Sequence, residues 1–487
     1  MEYLKEEEVA EPVSPTGQYL NSEALSLCVL GVLETGVPIT ADDSQVESLV
    51  NDVFLPTNPR FSSIMVEHEK GEKLWKKVEV KIKDHIKIPI FPSGMSPKTY
   101  DKYVDDYISV IAMEKFPKTK PLWEIHIINY PTSNNNIAAA AGTVIFKLHH
   151  SIGDGFSLVG ALLSCLQRAD DPSLPLTFPS APSRLTISDS DGTGKYSING
   201  FLKNTSKIFS LLSNTVSDFC WSIMKSSFLE DDHSPIRSGD FGIEFRPITT
   251  ATTTFNLDQM KQIKSNIGAT INDVITGVIF LGTRLYMKEM SPDSINTNST
   301  TLVLLNTREF RSYIPAKDMV KTDAKTPWGN YFTFLHVPIP KLSDDGDDSK
   351  LSNNNPLEFV RKAREIINVK KSSLAAHLTG RFLQILKKFR GPEAAARYIH
   401  GTLQKTSMAI TNLVGPVEQL ALAKHPIAGI YFLVAGAPQS LSITVISYMG
   451  KLRVVVVAEK GFIDAQKLKS CIENAFQMIS EAACKNN

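Results

Sequence analysis

The residues with the clearest chemical potential lie together: His149 and His150, followed closely by Gly153-Asp154-Gly155. An imidazole with a pKa of about 6.5 takes up a proton near neutrality, so a histidine with one ring edge open to a channel can act as a base. The run Thr143-Val144-Ile145-Phe146 before the pair reads as a strand, and Phe156–Arg168 has helical spacing through Leu158, Leu162, Cys165 and Leu166. The histidines therefore sit at a strand end, where the backbone can fix one edge of the ring. Asp154 follows His150 at a spacing of four and is flanked by glycines. Such glycines permit a sharp turn that can send the carboxylate back into the core. The alternative is structural: two histidines near a loop, with Gly-Asp-Gly as a helix start.

The other reactive residue types do not cluster. The five cysteines, Cys28, Cys165, Cys220, Cys471 and Cys484, are scattered, form no CxxC and do not adjoin a histidine. That pattern fits a reduced compartment without a structural zinc site. His68, His85, His126, His233, His336, His377, His400 and His425 are also dispersed; they read as ordinary structural or surface histidines, and no metal is expected. Asp240-Phe241-Gly242 has the letters of a kinase motif, but no glycine-rich loop or HRD accompanies it.

The elements that must position the histidines can be read on either side. The chain has 487 residues with a net charge of +1. At roughly 150 residues per domain this is two or three domains. The even charge balance argues against nucleic acid as a partner, because such binders are basic over a whole face. The acidic N-terminus lacks the basic and apolar regions of a signal peptide, and no run of 18 apolar residues reads as a membrane span. Pro97–Phe116 reads as a helix with Ser96 as its N-cap. The segment KVEVKIKDHI (Lys77–Ile86) alternates apolar and charged residues, the period of a half-buried strand. Leu122–Tyr130, Thr301–Asn306, Tyr331–Val337 and four segments after Ala409 also read as strands; Pro356–Ser372, Gly380–Leu403 and Lys467–Ala483 read as helices. Ser197–Phe228 is the longest amphipathic pattern. Phe201, Ile208, Leu212, Val216, Phe219 and Ile223 lie on one side, and Lys203, Lys207, Ser210, Asn214, Ser217 and Lys225 on the other. Glu230–Asp240 breaks it. The resulting division is 1–229, a boundary at 230–240, and 241–487.

His149-His150-x-x-x-Asp154-Gly155 resembles the HHxxxDG motif of the CoA-dependent acyltransferase superfamily. Further segments narrow the resemblance: PLWEIHII (Pro121–Ile128), KLHHSIGDGFSL (Lys147–Leu158), Asn272-Asp273 within ATINDVITGVI, TNLVGP (Thr411–Pro416) and Gly429–Leu452. Together and in this order they resemble the wax ester synthase/diacylglycerol acyltransferase family in its plant form, from about Pro15 to Ala483.

The resemblance implies an α/β fold: two CoA-dependent-acyltransferase-like domains, each a mixed sheet flanked by helices, with the active site in a channel between them. It implies that His150 is the general base that deprotonates an alcohol as it attacks an acyl-CoA thioester, and that His149 supports it. Asp154 would hold the loop through a salt bridge, with Arg308 as a candidate partner, and Gly155 would allow the turn. Asn272 would bind substrate or fix the channel wall, the second being favoured, and Asp273 could simply cap a helix. No cofactor is implied, since acyl-CoA is a substrate. The acceptor would be a long-chain fatty alcohol or diacylglycerol; a different alcohol, or a non-catalytic lipid carrier, are the alternatives. Such substrates partition into bilayers, so Ser197–Phe228 either packs on its own protein or lies on a membrane surface. The expected location is the cytosolic face of the endoplasmic reticulum, peripheral or through a single anchor, with the plasma membrane as an alternative.

Overall fold

The structure is a computed structural model and describes residues 11–39, 44–68, 72–133, 140–179, 215–308, 315–321, 324, 326–342 and 355–485. Its frame is two mixed sheets and one small one. In chain order the strands are β1 (Glu11–Pro12), β2 (Cys28–Thr35), β3 (Ser63–Glu67), β4 (Lys73–Lys77), β5 (Ile86–Lys87), β6 (Trp123–Ile128), β7 (Gly142–His149) and β8 (Leu166–Arg168). The second half adds β9 (Ile248–Asn256), β10 (Thr300–Asn306), β11 (Phe332–Pro338), β12 (Met408–Val414), β13 (Leu420–Leu422), β14 (His425–Ala435), β15 (Leu441–Tyr448) and β16 (Lys451–Glu459). The larger sheet runs β5-β6-β7-β2-β14-β13-β8, the second β11-β10-β12-β15-β16-β9, and the small one β1-β4-β3.

The strand carrying the histidines is central in the larger sheet. β7 pairs with β6 on one side and β2 on the other, and every residue of β7 and β2 is buried. Burial on both faces explains why these strands read as nearly continuous apolar runs instead of alternating ones. Lys147 is the exception in β7. Its Nζ donates to the Glu114 carbonyl at 2.9 Å, lies 3.6 Å from Glu124 and sits over the Phe116 ring. After His149 the chain turns, and Asp154 caps the helix Gly155–Ser164 by accepting from Ser157 N at 3.0 Å. The expected helix Phe156–Arg168 thus stops early, and its last residues form the edge strand β8.

The two sheets are not partitioned along the chain. After β12 the second half crosses to the larger sheet, where β14 pairs with β2 from Ile427 to Ala435, and then returns as β15. A buried ion pair, Arg453 with Glu34 at 2.5 Å, joins β16 to β2. The 230–240 segment is pinned as well. The buried Asp231 carboxylate accepts from Thr300 N, Ser407 N and Lys225 Nζ at 2.6, 2.8 and 2.5 Å.

The helix expected after Pro97 runs Pro97–Met113, with the Ser96 hydroxyl accepting from Thr99 N. Three other expectations need correction. Of the strand expected over Lys77–Ile86, only the two ends lie in strands: Lys77 closes β4 and Ile86 opens β5. Val78, Val80 and Ile82 still turn inward while Glu79 and Lys81 face solvent, but among the described residues no strand pairs with them. Gly380–Leu403 is two helices, Ala375–Arg390 and Pro392–Gln404, broken where Gly391 adopts a φ of +82° and Pro392 starts the next. Of Ser197–Phe228, residues 197–214 lie outside the described residues, and 215–227 are helical. Lys225 is not on the solvent face of that helix. Thr215, Asp218, Ser222 and Lys225 turn toward the second half, where Asp218 meets Lys370 at 3.0 Å and Thr215 Oγ1 accepts from Leu374 N at 3.1 Å. Val216, Trp221, Met224 and Phe228 are exposed, together with Ser217, Cys220 and Ser227. The helix buries its polar stripe because fixed partners await it there.

Candidate active site

Both rings of the histidine pair are buried, and their environments differ. His149 lies opposite Cys28 in the β2–β7 register. Its Nδ1 accepts from Ser151 N at 3.2 Å and faces Ser151 Oγ at 2.7 Å, while its Nε2 is 3.1 Å from Ser26 Oγ. Both nitrogens are therefore engaged, and a nitrogen that accepts a backbone N–H is not protonated. Burial is the main reason its pKa falls to about 3, with His150 as a neighbouring charge.

His150 has one nitrogen committed and one free. Its Nδ1 meets Asn330 Oδ1 at 3.0 Å. The Asn330 oxygen at Nδ1 places the proton there, which leaves Nε2 as an acceptor able to take a proton from a neighbouring hydroxyl. Burial lowers the His150 pKa below the ordinary imidazole value, and the Asp154 charge opposes that shift. The Phe332 ring packs edge-on against the imidazole at 5.4 Å.

Asp154 is paired with Arg308, at 2.6 Å, and does not hydrogen-bond either histidine. The same carboxylate accepts from Tyr331 N at 2.8 Å. Arg308 spreads its remaining donors over Ser157 Oγ, the Gly329 carbonyl and the Pro327 carbonyl at 2.9, 2.7 and 3.0 Å. Trp328 Nε1 donates to the Ile152 carbonyl at 2.8 Å. One half's motif loop is thus clasped by Arg308 and by the Pro327–Tyr331 turn of the other half. That turn also delivers Asn330 to His150.

Gly155 does not supply the turn. Neither Gly153 nor Gly155 has a positive φ, and a Cβ on Gly155 would meet only Leu413 at an ordinary 3.6 Å. Gly153 is the constrained position, where a Cβ would lie 2.8 Å from Ser157 Cβ and 3.3 Å from Trp328 Nε1. Asp273 forms a capping box with Thr270, its carboxylate accepting from Thr270 N at 2.9 Å. Asn272 Oδ1 accepts from Asn412 Nδ2 at 3.2 Å, which brings the Asn-Asp and Thr411–Pro416 segments into contact. Neither Asn272 nor Asp273 lines the main cavity.

That cavity, of about 760 Å³, lies between the halves. Leu20 and Arg60 line it from one side and Asn330, Phe332 and Leu383 from the other. Clefts of roughly 300–1,000 Å³ are the usual size for small-ligand sites. Asn330 and Phe332 touch His150, so the cavity reaches the neighbourhood of the base. Among the described residues no group of three His, Cys, Asp or Glu could hold a metal ion. Sequence reasoning missed Asn330 and Trp328. The signal available was the Pro-Trp-Gly-Asn turn before a strand, which carries no chemistry until it is placed against His150.

The architecture, two mixed sheets with the motif between them, is a known acyltransferase-type class. A wax ester synthase/diacylglycerol acyltransferase from Marinobacter aquaeolei VT8 superposes with a TM-score of 0.56 at 14% identity, over 97% of this chain and 100% of that one. The starter condensation domain of rhizomide synthetase superposes with a TM-score of 0.53 at 10% identity, covering 98% and 94%. These likenesses show the fold. The sequence is more specific. Residues 47–275 match the wax ester synthase/diacylglycerol acyltransferase catalytic domain, and residues 328–480 match the WS/DGAT C-terminal domain. Wax ester synthase/diacylglycerol acyltransferase 6 of Arabidopsis thaliana is 30% identical over 516 residues, covering 98% of this chain and 95% of that one. Number 7 of the same set is 28% identical, covering 98% of each chain. The chain belongs to the wax ester synthase/diacylglycerol acyltransferase family.

Proposed function

We propose that the protein transfers a fatty acyl group from acyl-CoA to a long-chain fatty alcohol, forming a wax ester, with diacylglycerol as a second acceptor. The observation that carries this reading is His150, whose Nδ1 meets Asn330 Oδ1 and whose ring packs against Phe332, two residues of the cavity wall. The acceptor hydroxyl donates to Nε2. As its oxygen attacks the thioester carbonyl, the proton passes to the imidazole, and a tetrahedral oxyanion forms. The oxyanion collapses, the C–S bond breaks, and the imidazolium returns the proton to the CoA thiolate. Both substrates bind together, so no acyl-enzyme is required. A placed base of this kind contributes about 10²–10⁴-fold in rate.

Asn330 holds His150 in the productive tautomer. Asp154 and Arg308 lock the loop, and His149, with both nitrogens engaged, is a support and not a second base. In this reading residues 1–229 carry the base, 230–240 join the halves, and 241–487 complete the channel. Asn272, held by Asn412, supports the channel from behind its lining.

No described helix is long and apolar enough to cross a membrane. We propose peripheral docking on the cytosolic face of the endoplasmic reticulum. The support is the helix at 215–227, whose exposed stripe includes Val216 at 60% and whose end bears Phe228 at 79%. Buried apolar area sets the strength of such docking. The activity is tested with labelled palmitoyl-CoA and a panel of alcohols: wax ester formed by the wild type and lost in His150→Ala supports the reading, and equal turnover in a folded His150→Ala variant rejects it. Fractionation tests the docking. Release by carbonate supports it, retention until detergent points to an anchor, and a fully soluble pool removes it.

A further inference from the structure

The cavity wall contains more polar chemistry than transfer to a plain alcohol uses. The cavity wall takes in Asn330, Tyr331, Phe332, Thr333, Phe334 and His336, from the turn before β11 into the strand. Leu335 and Val337, on either side of His336, pack into the core of the second half. The wall is therefore polar beside His150, aromatic in the middle, where the Phe332 and Phe334 rings meet edge-on at 5.5 Å, and polar again at its far end. At about 3.3 Å per residue, His336 lies about 13 Å along the strand from Phe332.

The far end has unused hydrogen-bonding capacity. His336 is 4% exposed, its Nε2 has no partner, and its Nδ1 has only Ser222 Oγ at 3.4 Å. An unpaired buried nitrogen costs stability and calls for an explanation. Burial pushes the His336 pKa down to about 4, with Lys370 and Lys225 acting in the same direction. The ring is neutral at physiological pH, so it suits an uncharged hydroxyl or carbonyl and not an anion. Ser222 and Ser226 of the helix at 215–227 line the same end.

We propose that His336, with Ser222 and Ser226, binds a second, uncharged polar group on the acceptor. The favoured acceptor is then a long-chain alcohol with another hydroxyl or ester oxygen well removed from the reacting one. This deepens the acyltransferase reading and rests on it. An unbranched hydrocarbon tail would leave Nε2 unpaired, and sites built to hydrogen-bond a substrate group discriminate against analogues that lack it.

The test compares kcat/KM for a long-chain primary alcohol and for the α,ω-diol of the same length, at saturating palmitoyl-CoA. The wild type should prefer the diol. His336→Leu and His336→Phe should lower the diol-to-alcohol ratio by about 10- to 100-fold. His336→Gln, which keeps a polar group near Nε2, should retain most of the preference. An unchanged ratio in the apolar variants overturns the proposal. So does an equal loss with both acceptors accompanied by a higher KM for palmitoyl-CoA, which would assign the cluster to the donor's amides. If the apolar variants fail to fold, thermal stabilisation of the wild type decides: no greater shift with the diol than with the alcohol overturns the proposal. Turnover of the plain alcohol by the wild type reports the acyltransferase reading separately. Its absence removes that reading, and its presence with an unaltered ratio removes only this one.

Discussion

Asp154→Asn removes the negative half of an ion pair whose side chains are 6% and 1% exposed, with Arg308 Nη1 2.6 Å away. The guanidinium cannot turn to water, because Ser157 Oγ and the Gly329 and Pro327 carbonyls hold its other nitrogens. Breaking a buried pair from one side costs about 3–5 kcal/mol. Folded proteins have only about 5–15 kcal/mol in hand, so a large share of the stability is lost. The chemistry should suffer less, since Asp154 makes no hydrogen bond to His150. Its field does raise the His150 pKa, so in the variant the acid limb of kcat/KM should move to lower pH. Urea unfolding followed by circular dichroism, with kcat measured on the folded fraction, separates the two effects. Adding Arg308→Met removes the orphaned charge, so the double variant should be less destabilised than the two single effects together, by about 0.5–3 kcal/mol. A native unfolding midpoint in Asp154→Asn would refute the reasoning. So would strict additivity, or a kcat loss far beyond the loss of folded protein.

Four further outcomes follow from the same geometry. Asn330→Leu frees the Nδ1 side of His150, and kcat should fall by about 10-fold or more with little change in unfolding midpoint; full activity would show that Asn330 does not orient the base. Acyl transfer needs neutral His150, whose pKa burial depresses, so the activity plateau should extend below the ordinary imidazole pKa of about 6.5, and an acid limb above neutrality would contradict it. His149 and His336, with pKa values pushed to about 3 and about 4, add a stability effect: the unfolded chain takes up their protons first, so stability present above about pH 6.5 should fall on acidification through the folded values, and a pH-independent midpoint from neutrality to pH 4 would refute this. Gly153→Ala should cost about 1–3 kcal/mol by overpacking against Ser157 and Trp328, whereas Gly155→Ala should be tolerated; the reverse order in thermal melts would mean that Gly155 is the constrained glycine after all.

The histidine pair, its strand and the following helix were legible because their signals are local. A run of buried residues, a strand-end motif and a cap all lie within a few residues of one another. Even the Asp154–Arg308 pair could be anticipated, because a carboxylate turned into the core needs a cation and Arg308 closes a strand. Lys77–Ile86 misled because alternation records which side faces the core and not whether a partner strand exists. Val78 and Val80 keep the alternation without the ladder. Lys225 misled because a helical wheel sends every lysine to water, whereas Asp231, six residues on, holds this one inside. Asn330 and His336 were beyond reach. Asn330 is 180 residues from His150 in the chain, and only the tertiary fold brings them together.

The excursion of β13 and β14 into the larger sheet has a consequence for how the molecule can be taken apart. The chain is stitched across the seam twice, once at 230–240 and again between β12 and β15. Cut at 230–240, the first piece would keep its histidines but lose the neighbour of β2, leaving a long, wholly buried-type strand as a bare edge. Such edges invite pairing with other chains. The second piece would carry β13 and β14 with no sheet of their own to join. The halves that share the chemistry are therefore parts of one folding unit, and they would regain activity as co-expressed fragments sooner than as separate domains.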